Sequence, residues 1–384
     1  MRILGDHVVF KNGHPHYRAA EATHPSVCWV GNDETSYLVC GFVVGQARTS
    51  ADRRLHLLRS DDNGATWSEM PSPFTPLNDL PEAAHAGIVM GRTSAGTLIL
   101  AAARLFMVPP ESASWDDAMA GIVDADTVIA RLSGDGTWTL PLIVDRRRHG
   151  AEWAIPCGVP VTTVDGTIVL PMERHTKSHI ADWRRLYHAF ALYSYDDGAA
   201  FAQDRPMLND PEGRIAYYDQ ELAGFGDGQL LTIAWVHDVI EDRTLTARCA
   251  WSDDEGTSWS EPHDTGIEGG PVSPLLLPDG RLLAFYTRRL PPAGIRVCLS
   301  EDRGRTWRTR EEFVIWDDEA RRVTGEPAQD TSGEPDKAPL WGSMWGWTFG
   351  SPTPVLGHND TVLVTFSCAD HDGIRYVRCV ELEY

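Results

Sequence analysis

The stretch Ser60-Asp61-Asp62-Asn63-Gly64-Ala65-Thr66-Trp67 decides how this chain folds. Its skeleton, Ser-x-Asp-x-Gly-x-Thr-Trp, returns at Ser300-Asp302-Gly304-Thr306-Trp307 and, with Ser in place of Thr, at Ser252-Asp254-Gly256-Ser258-Trp259. A weaker copy, Ser194-Asp196-Gly198, ends in Phe201, and a shortened one reads Ser133-Asp135-Gly136-Thr137-Trp138. The first serines of these five copies lie 73, 61, 58 and 48 residues apart, so the unit is constant while the connections vary. Each copy follows a run with strand alternation, such as Leu55-His56-Leu57-Leu58, and therefore reads as a hairpin turn. Within it the Asp carboxylate accepts main-chain N–H groups, Gly supplies a positive φ, and the Trp ring folds beneath the turn. These aspartates read as scaffold rather than as ligands for metal or substrate.

A second repeat interleaves with the first: an apolar strand, a tight turn, and another apolar strand. Three of its turns are Asp165-Gly166, Asp227-Gly228 and Asp279-Gly280, and looser versions fall at Asn32-Asp33, Ser94-Ala95-Gly96 and Asn359-Asp360. Two strands from each repeat make a four-stranded unit, and six such units over 384 residues predict an all-β, six-bladed β-propeller filling residues 1–384 as one domain. The sixth unit lacks the Trp turn and ends at Tyr384, so a strand around Val8–Lys11 or His16–Ala19 is expected to complete the last blade. The segment 310–345, rich in Glu, Asp, Arg and Pro, reads as a long insertion and a lid over one rim.

Composition narrows the function. Thirty-four basic against 55 acidic residues give a net charge of −21, which argues against nucleic acid or an anionic membrane as partner. No apolar run approaches a membrane span, and no signal peptide is legible after Met1-Arg2-Ile3, so a cytoplasmic protein is expected. The seven cysteines include no Cys-x-x-Cys pair, which predicts free buried thiols, no structural metal and no cofactor. Arg146-Arg147-Arg148-His149 reads as a solvated charge run.

The repeated Ser-x-Asp-x-Gly-x-Thr-Trp turns resemble the Asp-box, or BNR repeat, of the sialidase (neuraminidase) superfamily, and the resemblance spans nearly the whole chain. It implies a propeller that handles carbohydrate. The stretch Tyr217-Tyr218-Asp219-Gln220-Glu221 is similar to the fourth inner strand of sialidases, where an acid assists a tyrosine nucleophile. Elsewhere the chain departs from that pattern. Thr23-His24-Pro25 stands at the Arg-Ile-Pro motif, His237 stands where a second carboxylate-gripping arginine is expected, and Trp345-Gly346-Trp347 precedes blade six where the tyrosine should enter. These departures point away from sialic acid.

In such a fold the first strand of each blade lines the channel, so residues just before each first strand and just after each second strand converge on one rim. That topology gathers His24, His85, Arg104, Glu173, Arg174, Glu221, His237, Arg288, Trp345 and Trp347. Glycosidic cleavage needs a proton donor and a base or nucleophile, Trp faces stack on pyranose rings, and Arg holds carboxylates. The expected function is therefore a glycoside hydrolase acting on a terminal sugar. Glu173, Glu221 and His85 are its catalytic candidates, and His24, Arg104, Arg174, His237, Arg288, Trp345 and Trp347 its substrate-binding candidates. Two alternatives stand beside it. One is a lyase on a uronic-acid glycan, with Arg174 or Arg288 neutralising the carboxylate and His85 or Tyr218 abstracting a proton; the other is a non-catalytic glycan-binding propeller.

Overall fold

The computed structural model describes residues 1–13, 21–32, 35–46, 50, 52–74, 84–106, 124–149, 153–175, 187–328 and 348–384. Its strands form the six blades of a β-propeller, and every named connection within a blade is antiparallel. Blade one runs Glu21–Val30, Tyr37–Gly45, Arg54–Ser60 and Ser68–Met70. Blade two runs Ala84–Arg92, Leu98–Phe106, Asp124–Leu132 and Leu142–Val144. Blade three opens on two short pieces, Trp153–Pro156 and Val161–Thr162, followed by Ile168–His175, Tyr187–Ser194 and Gln203–Pro206. Blade four is Ile215–Gly224, Leu230–Asp238, Arg243–Ser252 and His263–Asp264. Blade five begins Val272–Leu276, Leu282–Arg288 and Gly294–Ser300, and blade six begins Gly350–Leu356, Thr361–Ala369 and Arg375–Glu383.

The ring closes through its N-terminal strand. Arg2–Phe10 pairs antiparallel with Arg375–Glu383, from Arg2 opposite Glu383 to Phe10 opposite Val377, and Arg378 binds Asp6 across that seam. Of the two expected closing segments, the one around Val8 is correct. The alternative, His16–Ala19, lies outside the described residues. The insertion after residue 310 is not wholly a lid: Phe313–Asp317 and Arg322–Pro327 form a hairpin that extends blade five at its outer edge. The remainder, 329–347, lies outside the described residues.

The Asp-boxes work as their sequence dictates, except the shortened copy at Ser133, which closes as a tighter turn with the Ser133 N–H on Thr137 O at 3.1 Å and the Thr137 N–H on Asp135 Oδ1 at 3.0 Å. At Ser60 the hydroxyl donates to Asp62 Oδ1 at 2.9 Å and accepts the Gly64 N–H at 2.9 Å, while Asp62 accepts the Thr66 N–H at 2.8 Å. The same set recurs at Ser252 and Ser300 and, in part, at Ser194. Gly304 adopts φ +82, a conformation L side chains rarely take, and a Cβ there would press at 3.3 Å on both Trp307 and Leu231, so glycine suits the close approach of the indole beneath the turn. Most buried apolar clusters among the described residues lie between blades, although one lies within blade four, around Tyr217, Ala234, Val236 and Ala250. Leu38, Cys40 and Phe42 of blade one pack on Leu363, Val377 and Cys379 of blade six, and Val39 and Leu57 pack on Ile88 and Leu100 of blade two. Burial of each such side chain stabilises by about 1.5–3 kcal/mol, so neighbouring blades hold one another.

First strands of adjacent blades neighbour one another around the channel. Four of them share a break in pairing near their upper ends, between Thr23 and Ser26, Ala86 and Ile88, Tyr218 and Glu221, and Gly350 and Thr353. Each break holds one residue in the left-handed region: His24 at φ 54, Gly87 at 55, Asp219 at 47 and Ser351 at 55. An extra residue placed this way bends the strand and re-aims its side chains.

Candidate functional site

The boundary between blades three and four brings three carboxylates together. Glu173, at the end of the second strand of blade three, accepts the main-chain N–H of Asp219 at 2.7 Å. Glu221, on the first strand of blade four, accepts the N–H of Val159 at 2.8 Å. Both acids are buried, at 5% and 8% exposure, while Asp219 between them is half-buried. Gln220 is fully buried and fixes the break: its amide donates to Leu208 O at 2.7 Å and its carbonyl accepts the Leu208 N–H at 3.1 Å. Gly158 lies so close that a Cβ would fall 2.2 Å from Gln220 O.

Burial pushes the Glu221 carboxyl up to about 8, the Asp219 charge adds to the rise, and the Val159 N–H offsets part of it. Glu221 is therefore protonated at neutral pH. Cys157, half-buried at the same boundary, has its thiol held well above the usual range by burial and by the charges of Glu173, Asp219 and Glu221, so it is no thiolate nucleophile. The other six cysteines are buried free thiols, as expected; Cys157 is the exception.

A second polar sector occupies blades one and two. His85 is 8% exposed, stands opposite Arg104 in the strand pair, donates its main-chain N–H to Arg53 O at 3.2 Å, and stacks its ring on Phe74 with ring centroids 5.8 Å apart. Burial, then the charges of Arg54, Arg104 and Arg53, lower its pKa to about 4, so the imidazole is neutral. Arg104 binds Asp126 at 3.1 Å, and Arg146 binds the other oxygen of Asp126 at 2.8 Å. Arg146 thus corrects the reading of 146–149 as a solvated run: the segment is a 3₁₀ turn whose first residue is buried on Asp126. The Arg run carries no hydrophobic period, and its one buried member was not legible beforehand.

The remaining expected site residues fall in different places. His24 is half-buried on the break of blade one, with Nδ1 3.0 Å from Thr23 Oγ1. Arg288 is buried on the blade five rim and binds Glu268 at 3.0 Å. Arg174 turns the opposite way from Glu173, as strand alternation requires, and lies over Phe190 while donating to His149 O at 3.2 Å. His237 corrects the expectation of substrate contact: it has no exposed surface, and its Nε2 is 3.1 Å from Asp242 Oδ1. Trp345 and Trp347 lie outside the described residues. Asp219 and Ser351 were not among the expected site residues, because a single-residue break in pairing leaves no periodic trace.

Solved structures repeat this architecture. A protein of unknown function from Dyadobacter fermentans superposes with a TM-score of 0.72 at 19% identity, covering 100% of this chain and 98% of that one. Trypanosoma rangeli sialidase, in complex with the inhibitor DANA, superposes at 0.60 with 10% identity, covering 100% of this chain and 58% of that one. The NanB sialidase of Streptococcus pneumoniae superposes at 0.57 with 11% identity, covering 98% and 70%. At such identities the likeness is one of fold. No curated protein matches the sequence. The family model described as a BNR repeat-like domain matches residues 123–320, half of the chain, and the chain belongs to that family.

Proposed function

We propose that the protein is a glycoside hydrolase acting on a terminal sugar, with the carboxyl groups at the boundary of blades three and four as its chemical centre. The observation that supports this most is the pair of buried carboxyl groups, Glu173 and Glu221, each holding a main-chain N–H across one blade boundary, with burial raising Glu221 to about 8. Glycoside hydrolysis requires one carboxyl group that still holds its proton at working pH and a second that is ionised, and environments that push two such groups apart supply both roles. Glu221 donates the proton to the departing oxygen. Glu173 serves as base or nucleophile, its geometry fixed by the Asp219 N–H. The sialidase-like propeller agrees with a role on glycans.

A second reading has its own support. A uronate lyase needs a neutral base and cations that quench the substrate carboxylate, and His85 with Arg53, Arg54 and Arg104 is such a set. One screen separates the two: aryl glycosides and uronate-containing glycans, followed by released aryl alcohol and by ultraviolet absorbance of an unsaturated product. Aryl release without new absorbance supports the hydrolase. Absorbance that disappears in His85→Asn supports the lyase, and binding without either product leaves a glycan-binding propeller.

A further inference from the structure

We infer that His24, Asp219 and Ser351 form one surface at the channel mouth that reads the hydroxyl edge of a neutral terminal sugar. The inference rests on the proposed glycan function for the nature of the ligand, but its location rests on backbone geometry alone. All three occupy the same structural position, the left-handed residue of the break in the first strand of blades one, four and six. Blade two fills that position with Gly87, the residue such a backbone favours. Asp and His enter the left-handed region less reluctantly than most residues, whereas Ser does so seldom; a fold that only needed the bend has glycine available, as blade two shows. Asn63, Glu255 and Arg303 are left-handed too, but they sit in the tight hairpin turns; inside a strand, where a neighbouring blade shows that glycine serves, such strain points to a side chain kept for contact.

Exposure says where these side chains go. His24, Asp219 and Ser351 are each half-buried while Thr23, Pro25, Tyr218, Gln220, Gly350 and Pro352 beside them are buried. At the equivalent place in blade two, a Cβ added to Gly87 would meet nothing within 4 Å, so this position opens on space. Blades six and one are tied just below, where Thr353 Oγ1 donates to Pro25 O at 2.9 Å, which brings Ser351 and His24 to neighbouring blades.

The chemistry selects the ligand. A carboxylate accepts from two adjacent hydroxyls, an imidazole offers one donor and one acceptor, and a serine hydroxyl offers both. Sugar hydroxyls match that set. Asp219 donates its main-chain N–H to Glu173, and its charge acts on Glu221, so a ligand carboxylate placed there would meet the Asp219 charge, which disfavours an acidic sugar at this surface.

The test uses the full chain and replaces the three residues singly by glycine. His24→Gly, Asp219→Gly and Ser351→Gly remove a side chain from a left-handed backbone, so each melting temperature should equal or exceed that of the wild type. Neutral 4-nitrophenyl hexosides and pentosides are compared with a glucuronide and a sialoside, by calorimetric binding and by nitrophenol release. The wild type should prefer a neutral member, and each glycine variant should weaken Kd or KM for it by about tenfold or more, the loss of a ligand hydrogen bond in a desolvated site. Melting temperatures lowered in all three, with affinity within about twofold of wild type, would mean structural residues and overturn the inference. Preference for the glucuronide or sialoside, or no binding of any neutral member, overturns it as well. Neutral glycosides that bind without being cleaved, and lose binding in the variants, sink the hydrolase and leave the surface standing.

Discussion

Glu173 and Glu221 cross one blade boundary in opposite directions. Glu173 of blade three takes the N–H of Asp219 in blade four, and Glu221 of blade four takes the N–H of Val159 beside the first strand of blade three. The two bonds, at 2.7 and 2.8 Å, form a reciprocal clasp whose ends are both carboxyl groups. A clasp of this kind fixes the two groups relative to one another, which is what acid–base chemistry on a rigid scaffold requires.

The clasp predicts a pH dependence of stability. Burial raises the Glu221 carboxyl from its ordinary 4.5 to about 8, so between those values the folded chain holds a proton that the unfolded chain has released. Stability is then fullest below the unfolded value and is lost as pH rises through about 8. Melting curves at pH 6 and pH 9, chosen to bracket that change, should show a larger fall for wild type than for Glu221→Gln, which has no proton to lose. Equal falls would place Glu221 in water.

The Asp-boxes are scaffold, and their mutants should say so. Trp307 is 9% exposed beneath its hairpin, and Trp307→Ala should destabilise by about 3–5 kcal/mol through the lost contacts and the cavity. The melting temperature is the measurement, paired with turnover per folded molecule, which should stay at the wild-type level. Loss of turnover at unchanged melting temperature would put the hairpin in the site.

Arg174 provides a control for charge. Its guanidinium faces Phe190 and His149 rather than the Glu173 side of the strand. Arg174→Ala should therefore leave kcat/KM within about threefold of wild type on a neutral glycoside, and KM should vary little with added salt. A large rise in KM that salt reproduces in the wild type would mean an anionic substrate held by this arginine, and would favour the lyase.

The blades were legible because their signals are periodic. The Ser60, Ser252 and Ser300 turns carry one repeated side-chain bond pattern, and Asp165-Gly166, Asp227-Gly228 and Asp279-Gly280 mark the channel hairpins. Knowing both repeats also placed Glu173 and Glu221 on one boundary. What the sequence hid is aperiodic. Nothing marks His24, Asp219 or Ser351 as left-handed, since one extra residue in a strand changes register without changing composition. Nor does Arg146 differ from Arg147 until Asp126, twenty residues earlier, folds against it. His237 read as a rim residue because chain position gives height along a strand but not the depth of a side chain.

The direct measurement is the turnover of Glu221→Gln on the aryl glycoside that the wild type cleaves best, read beside its melting temperature at pH 7. An amide keeps the shape and accepts the Val159 N–H but carries no proton to donate, so kcat should fall by about 10²–10⁴-fold while the fold stays intact. Turnover within about threefold of wild type in a folded Glu221→Gln protein would contradict the account, because the group assigned to the proton would then be dispensable.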